Sequence, residues 1–195
     1  MVEPLATRRI SVPGENQLSF DFDVDDAFGS EQDEGLRELY KLYRDGIAYP
    51  DGVRSSAVLE SVYNASGKLR LSVSIVDTRS SAPTGYLVKR HGLLSDFEFL
   101  EGLRIGEFPS ELNARCKEVE YYFTVLKRRA AFQEIHQWRA AESKLGASMS
   151  RHYVKFMFPL CDPLGTINYV VSASRLAEDG VKPLGSTLQR PILVA

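Results

Sequence analysis

Cysteine is scarce in this chain of 195 residues, which has only Cys116 and Cys161. That is too few for a disulfide framework. One falls on an expected helix face and one at an expected strand end, so both read as reduced and structural. Histidine is nearly as rare. His91, His136 and His152 are far apart in sequence, and neither HxxxH nor CxxC spacing joins them, so the sequence carries no metal-site motif. No GxSxG or comparable signature surrounds a candidate nucleophile. No apolar run approaches the ~18–20 residues needed to span a bilayer. The first residues, MVEPLATRRISVPGENQ, lack the apolar core of a secretory signal, which predicts a cytoplasmic protein. Charge of one sign is also missing. Lys and Arg number 24 against 26 Asp and Glu, giving a net charge of −2 and a pI near 6.0. Nucleic acid and anionic membrane are therefore not expected partners. The basic clusters Lys127-Arg128-Arg129 and Arg8-Arg9 are too short for an electrostatic footprint on DNA.

What is present is ordinary globular material, 44% hydrophobic and 26% charged, enough for one domain with extensions. The clearest signal is SRHYVKFMFPLCDPLGTINYVVSASRL, residues 150–176. Two runs rich in Tyr, Val, Phe and Ile flank the turn residues Asp162-Pro163-Leu164-Gly165, predicting two long strands joined by a tight turn. Residues 1–30 read as a flexible acidic extension. Within it Leu18, Phe20, Phe22 and Val24 alternate with polar residues, a pattern that would suit an edge strand or addition to a partner's sheet. Asp21, Asp23 and Asp25 mimic the start of a calcium loop. The sixth position is Asp26 rather than Gly and the twelfth is Gln32 rather than Glu, which excludes one.

Further along, Leu36, Leu39, Tyr40, Tyr43 and Ile47 share one face of an expected helix. A second short helix follows, capped by Ser55 or Ser56. Leu69, Leu71, Val73 and Ile75 then alternate with Arg70, Ser72 and Ser74 as a half-buried strand, with residues 85–90 as its hairpin partner. Residues 93–109 suit short helical turns. From Ser110, a natural N-cap, Leu112, Cys116, Val119, Phe123 and Leu126 recur at helical spacing. A strand near 131–141 precedes the long pair, and residues 179–195 read as a C-terminal tail. These elements predict an α+β domain, a five-stranded antiparallel sheet with helices on one face plus the N-terminal helix.

Two strands, a helical segment ending in one long helix, then three strands is an order that resembles a PAS domain. The chain is most similar to stand-alone PAS-like proteins of proteobacteria, through LYKLYRDGIAYP (39–50), GYLVKRHG (85–92), GLRIGEF (102–108) and YVKFMFPLCDPLG (153–165). Lys155 stands where that family commonly has Arg, and tyrosines replace a Trp of the leading helix. The resemblance covers residues 36–176 and implies a PAS-like domain over 31–178. It implies a non-enzymatic sensory or adaptor module in bacterial signalling, acting through a small ligand, a signalling-protein partner or both, and dimerising through Leu36, Leu39, Tyr40 and Tyr43. A pocket between sheet and long helix would be lined by Tyr86, Val88, Cys116, Val119, Phe123, His136, Trp138, Tyr153, Lys155 and Met157. No particular cofactor is implied, because neither haem ligation nor flavin photochemistry has a local signature here. Tyr153 and Lys155 share one face of their strand, His152, Val154, Phe156 and Phe158 the other, and sequence leaves open which is inner. The alternative is a small enzyme or carrier of a cone-shaped α+β fold, with His136 and a nearby carboxylate such as Glu134 doing acid-base work.

Overall fold

The computed structural model describes residues 3–49, 53–92, 100–139 and 149–183. Its centre is the predicted long hairpin, β7 (Met149–Cys161) and β8 (Ile167–Pro183). The turn residues act as expected. Asp162 Oδ1 accepts hydrogen bonds from the Leu164 and Thr166 amides at 2.9 and 3.0 Å, and Gly165 supplies the positive φ of 81°.

Both faces of β7 are inner. Val154, Phe156, Phe158 and Leu160 point into one apolar cluster, while Met157 points into a second on the opposite side. The apolar residues of VKFMFPL occupy both parities, which is how a strand covered on both faces reads. Helices therefore pack on both sides of the sheet, not on one as expected.

The sheet has eight strands rather than five, in the order β1-β2-β6-β7-β8-β4-β5. In chain order these are β1 (Ala6–Val12), β2 (Glu15–Phe22), β3 (Arg54–Ser55), β4 (Val73–Asp77), β5 (Leu87–Arg90) and β6 (Ala131–Arg139), followed by β7 and β8. All neighbours are antiparallel except β3, which pairs in parallel with the end of β7, Arg54 lying opposite Leu160. The segment expected as a flexible extension is part of this sheet. Its residues 6–22 supply the β1–β2 hairpin, and β2 pairs with β6. Part of its acidity serves helix N-termini. Asp23 Oδ1 accepts from the Asp25 and Asp26 amides at the start of α1 (Val24–Ser30). Asp33 does the same for α2 (Glu34–Asp45) through the Leu36 amide.

The apolar stripe of α2 covers the chain's own sheet. Leu36 and Leu39 are fully buried, and the Tyr40 and Tyr43 rings lie 6.0 and 5.7 Å from that of Phe156. Those four residues, expected at a dimer interface, are core and near-core residues of one chain. The short helix after them is α3 (Val58–Tyr63). The expected strand from Leu69 begins only at Val73, because residues before it form α4 (Gly67–Ser72), where the Ser72 hydroxyl bonds back to the Lys68 and Leu69 carbonyls. Of residues 93–109, 93–99 lie outside the described residues, and a 3-10 turn occupies Ile105–Glu107.

On the other face lies α5 (Glu111–Lys127), capped by Ser110 Oγ accepting from the Asn113 amide. Its buried residues are Leu112, Cys116, Glu120, Tyr121 and Thr124, so the buried stripe is rotated away from the predicted apolar one and Leu126 is 59% exposed. The expected tail begins later than predicted, since β8 runs on to Pro183; residues 184–195 lie outside the described residues.

Phe156 is fully buried at the meeting point of α1, α2 and β7. Phe156→Ala is expected to lower unfolding free energy by about 3–5 kcal/mol, measured as a shift in urea midpoint at unchanged slope.

Candidate functional site

The space between α5 and the sheet, where the sequence suggested a pocket, is filled by the protein's own side chains. Met157 and Cys116 are fully buried, and Tyr86, Val88, Tyr121, Ile105 and Val170 close around Met157. Burial pushes the Cys116 thiol well up, so it stays protonated and unreactive.

Toward β2 this interface changes from apolar to charged. Glu120 Oε2 accepts from Lys155 Nζ at 2.8 Å and from Lys117 Nζ at 3.1 Å. Glu120 Oε1 takes Gln17 Nε2 at 3.1 Å, and Gln17 Oε1 in turn accepts from Gln137 Nε2 at 2.6 Å. The Glu120 and Lys155 side chains are each only 2% exposed. Lys155 Nζ also sits 4.4 Å from the centre of the Tyr121 ring, a cation–π contact. Burial opposes ionisation of Glu120, but the two lysines and the hydrogen bonds outweigh it and hold the carboxyl down at about 2. Burial likewise opposes the Lys117 charge, and Glu120 overcomes it, raising that ammonium well above its ordinary value.

Gln17, Lys117 and Glu120 were not among the residues expected here. Two signals pointed to them: Lys117 and Glu120 stand three apart on one helix, and Glu15, Gln17 and Ser19 share one parity of β2. In that strand it is the polar parity that is buried. The alternating apolar residues Leu18 and Phe20 face the opposite side, a reversal of the usual inside-out reading.

Beside the filled interface an open cleft of about 400 Å³ runs along the C-terminal half of α5. Glu120, Phe123 and Thr124 of α5 border it, facing Arg8, Asp21 and Gln133 of the sheet. Arg8 pairs with Asp21 at 2.6 Å and lies 5.6 Å from the Phe123 ring. Gln133 is 1% exposed and donates Nε2 to Asp21 Oδ1 at 2.7 Å, yet its Oε1 accepts no hydrogen bond from any described residue. A buried amide oxygen left without a donor is costly. That oxygen has essentially no accessible surface, so a donor from the cleft reaches it only where the side chains over it part.

The ten expected pocket residues do not meet in one place. Tyr86, Val88, Cys116, Tyr153, Lys155 and Met157 lie on the α5 side of the sheet. Phe123 borders the cleft, and Val119 is half-buried on the same helix. His136 and Trp138 project from the opposite face of β6, because they have the parity of Phe132, which packs among the α1 and α2 side chains. There the His136 and His152 Nε2 atoms meet Glu134 Oε1 at 3.0 and 2.7 Å, and the two imidazoles stack at 4.0 Å. Hydrogen bonds from the histidines, His136 foremost, hold the Glu134 carboxyl below its usual range. His91 is separate. Its Nδ1 contacts Ser74 Oγ at 3.1 Å, and burial, aided by Lys117 and Lys155, pushes its pKa down to about 4.

Among the described residues no helix is long and apolar enough to cross a membrane. Comparison with family models, with curated proteins and with solved structures finds no match to this chain.

Glu120→Gln leaves two lysines without their counter-charge and is expected to destabilise the fold by about 3–5 kcal/mol in urea titrations at pH 7. Acid sensitivity has two limbs with the same sign. His91 is held neutral in the fold, so its contribution is intact above pH ~6.5 and lost toward pH 4; that of Glu120 is intact above ~4.5 and lost toward 2. His91→Gln should flatten the upper limb and Glu120→Gln should make the lower one shallower, read from urea midpoints between pH 7 and 3.

Proposed function

We propose that this chain is a non-enzymatic, cytoplasmic PAS-like sensory or adaptor module of a bacterial signalling system, whose input is a small polar molecule held in the cleft along α5. Support for the PAS-like reading comes from β4 to β8. Two strands precede a helical block ending in the long α5, three follow it, and the first of these five strands pairs with the last. The added β1–β2 hairpin and the filled apolar interface move the ligand away from the centre of the sheet and toward the C-terminal half of α5.

The single observation carrying the ligand reading is Gln133 Oε1, buried and lacking a donor at the cleft wall. Lining charges are nearly balanced, with Arg8, Arg44, Arg54, Lys127 and Arg129 against Asp21, Asp23, Asp25 and Glu120. A ligand of one charge sign alone would meet as much repulsion as attraction. The cleft suits a compact molecule that carries groups of both charge signs, one of them a hydrogen-bond donor. Because Glu120 both borders the cleft and holds the buried lysines, occupancy there would act directly on the seating of α5. A shift of α5 would then be the output that a signalling partner reads. The α2 stripe cannot serve as the dimer surface in this arrangement.

One observation favours the enzymatic alternative, namely the 3.0 Å hydrogen bond between His136 and Glu134. Neither residue borders the cleft.

Native mass spectrometry of the protein purified from its own host tests the reading. The expected spectrum shows a mass excess that disappears on denaturation and is absent from Gln133→Leu. A wild-type protein without excess mass, with no thermal shift against a panel of small polar metabolites, removes the ligand and leaves only the adaptor role.

A further inference from the structure

The face of the β6–β7 pair opposite α5 brings together two imidazoles and a carboxylate that the proposed sensory role does not use. Glu134 and His136 are two residues apart on β6 and so project to the same side. His152 of β7 lies directly opposite His136 in the antiparallel register. Register alone makes these three side chains neighbours. Their geometry goes further, because both Nε2 atoms aim at one carboxylate oxygen and the three ligand atoms all lie within 4.8 Å of one another. The Phe20 ring stands edge-on to His136 at 5.9 Å and the Trp138 ring stacks on its other flank at 6.0 Å, which limits how far that imidazole can swing. The side chains of Glu134, His136 and His152 are 35%, 30% and 21% exposed, so an ion from solvent can reach them.

The stacked imidazoles and the carboxylate present their three donor atoms to one small space. A divalent ion placed among them is within reach of all three donors. Imidazole nitrogen with one carboxylate oxygen is a donor set for zinc and its first-row neighbours, and offers too few oxygens for magnesium or calcium. We propose that Glu134, His136 and His152 form a binding site for a divalent transition-metal ion of the zinc class, with a coordination position left for water or a fourth ligand. On binding, each neutral imidazole moves its proton from Nε2 to Nδ1 and gives the Nε2 lone pair to the metal, with no change of oxidation state.

The test is calorimetric titration of the chelator-stripped full chain with zinc chloride, with magnesium chloride as control. One equivalent of zinc should bind with an affinity of micromolar order and magnesium should not bind. His152→Gln and Glu134→Gln should each weaken zinc by about tenfold or more, with melting temperatures of the stripped variants showing that they fold. Nitrogen-15 NMR of the wild-type histidines reads the site directly even where a variant is unstable, since both Nε2 resonances should move to metal-bound positions at one equivalent. Zinc binding that the substitutions leave unchanged, or saturation that leaves the His136 and His152 nitrogens unmoved, overturns the proposal.

Discussion

The Glu120–Lys155 ion pair fixes the seating of α5 on the sheet. Both side chains are nearly inaccessible, and a buried charge without a partner is too costly to persist. Lys155 cannot leave the interior because it stands on β7 between Val154 and Phe156, which anchor the strand in the apolar cluster on the other side. Glu120 must therefore come to it. Once it does, Lys117, Gln17 and Gln137 take up its remaining acceptor positions and those of their neighbours, and the N-terminal hairpin is tied to α5 as well as to β6. Such a pair adds less to net stability than a matched apolar contact would. What it supplies is one permitted register.

That constraint explains why, among the described residues, no apolar pocket lies under the long helix. The volume that a buried ligand would need is taken by Tyr121, Met157 and the charged cluster, and the open space lies to one side. A ligand in the cleft would touch Glu120 from outside while the lysines hold it from within. Change at the cleft and movement of α5 are thus linked through one carboxylate. The Glu134, His136 and His152 group lies on the far face of the sheet.

Much of the scaffold could be read from the sequence. The Asp162–Gly165 turn, the Ser110 cap, the leading helix and the order of β4 through β8 all follow from local chemistry, which acts within a few residues. The added strands and the second covered face were harder, since they depend on pairing between distant segments. The β1–β2 hairpin was visible only as weak alternation, and it reads inverted because β2 buries Gln17 and Ser19 against a charged helix. At the site, strand parity put Lys155 and Met157 on one face without saying which face is inner, and helical spacing put Cys116 on the apolar stripe. Glu120 was marked only by its spacing of three from Lys117, and nothing local shows that a lysine on another element requires it. Gln133 was equally hidden, as nothing local distinguishes a glutamine with an orphaned oxygen from one that is solvated.

The seating of α5 by charge is most directly tested by a double-mutant cycle on Glu120→Gln and Lys155→Met, with unfolding free energies from urea titration at pH 7. If the buried pair fixes the helix, the two changes are strongly coupled. The double variant is then more stable than the sum of the single losses predicts by about 1.5–3 kcal/mol. Additive losses, with a coupling near zero, would contradict that role and place α5 under the control of its apolar contacts alone.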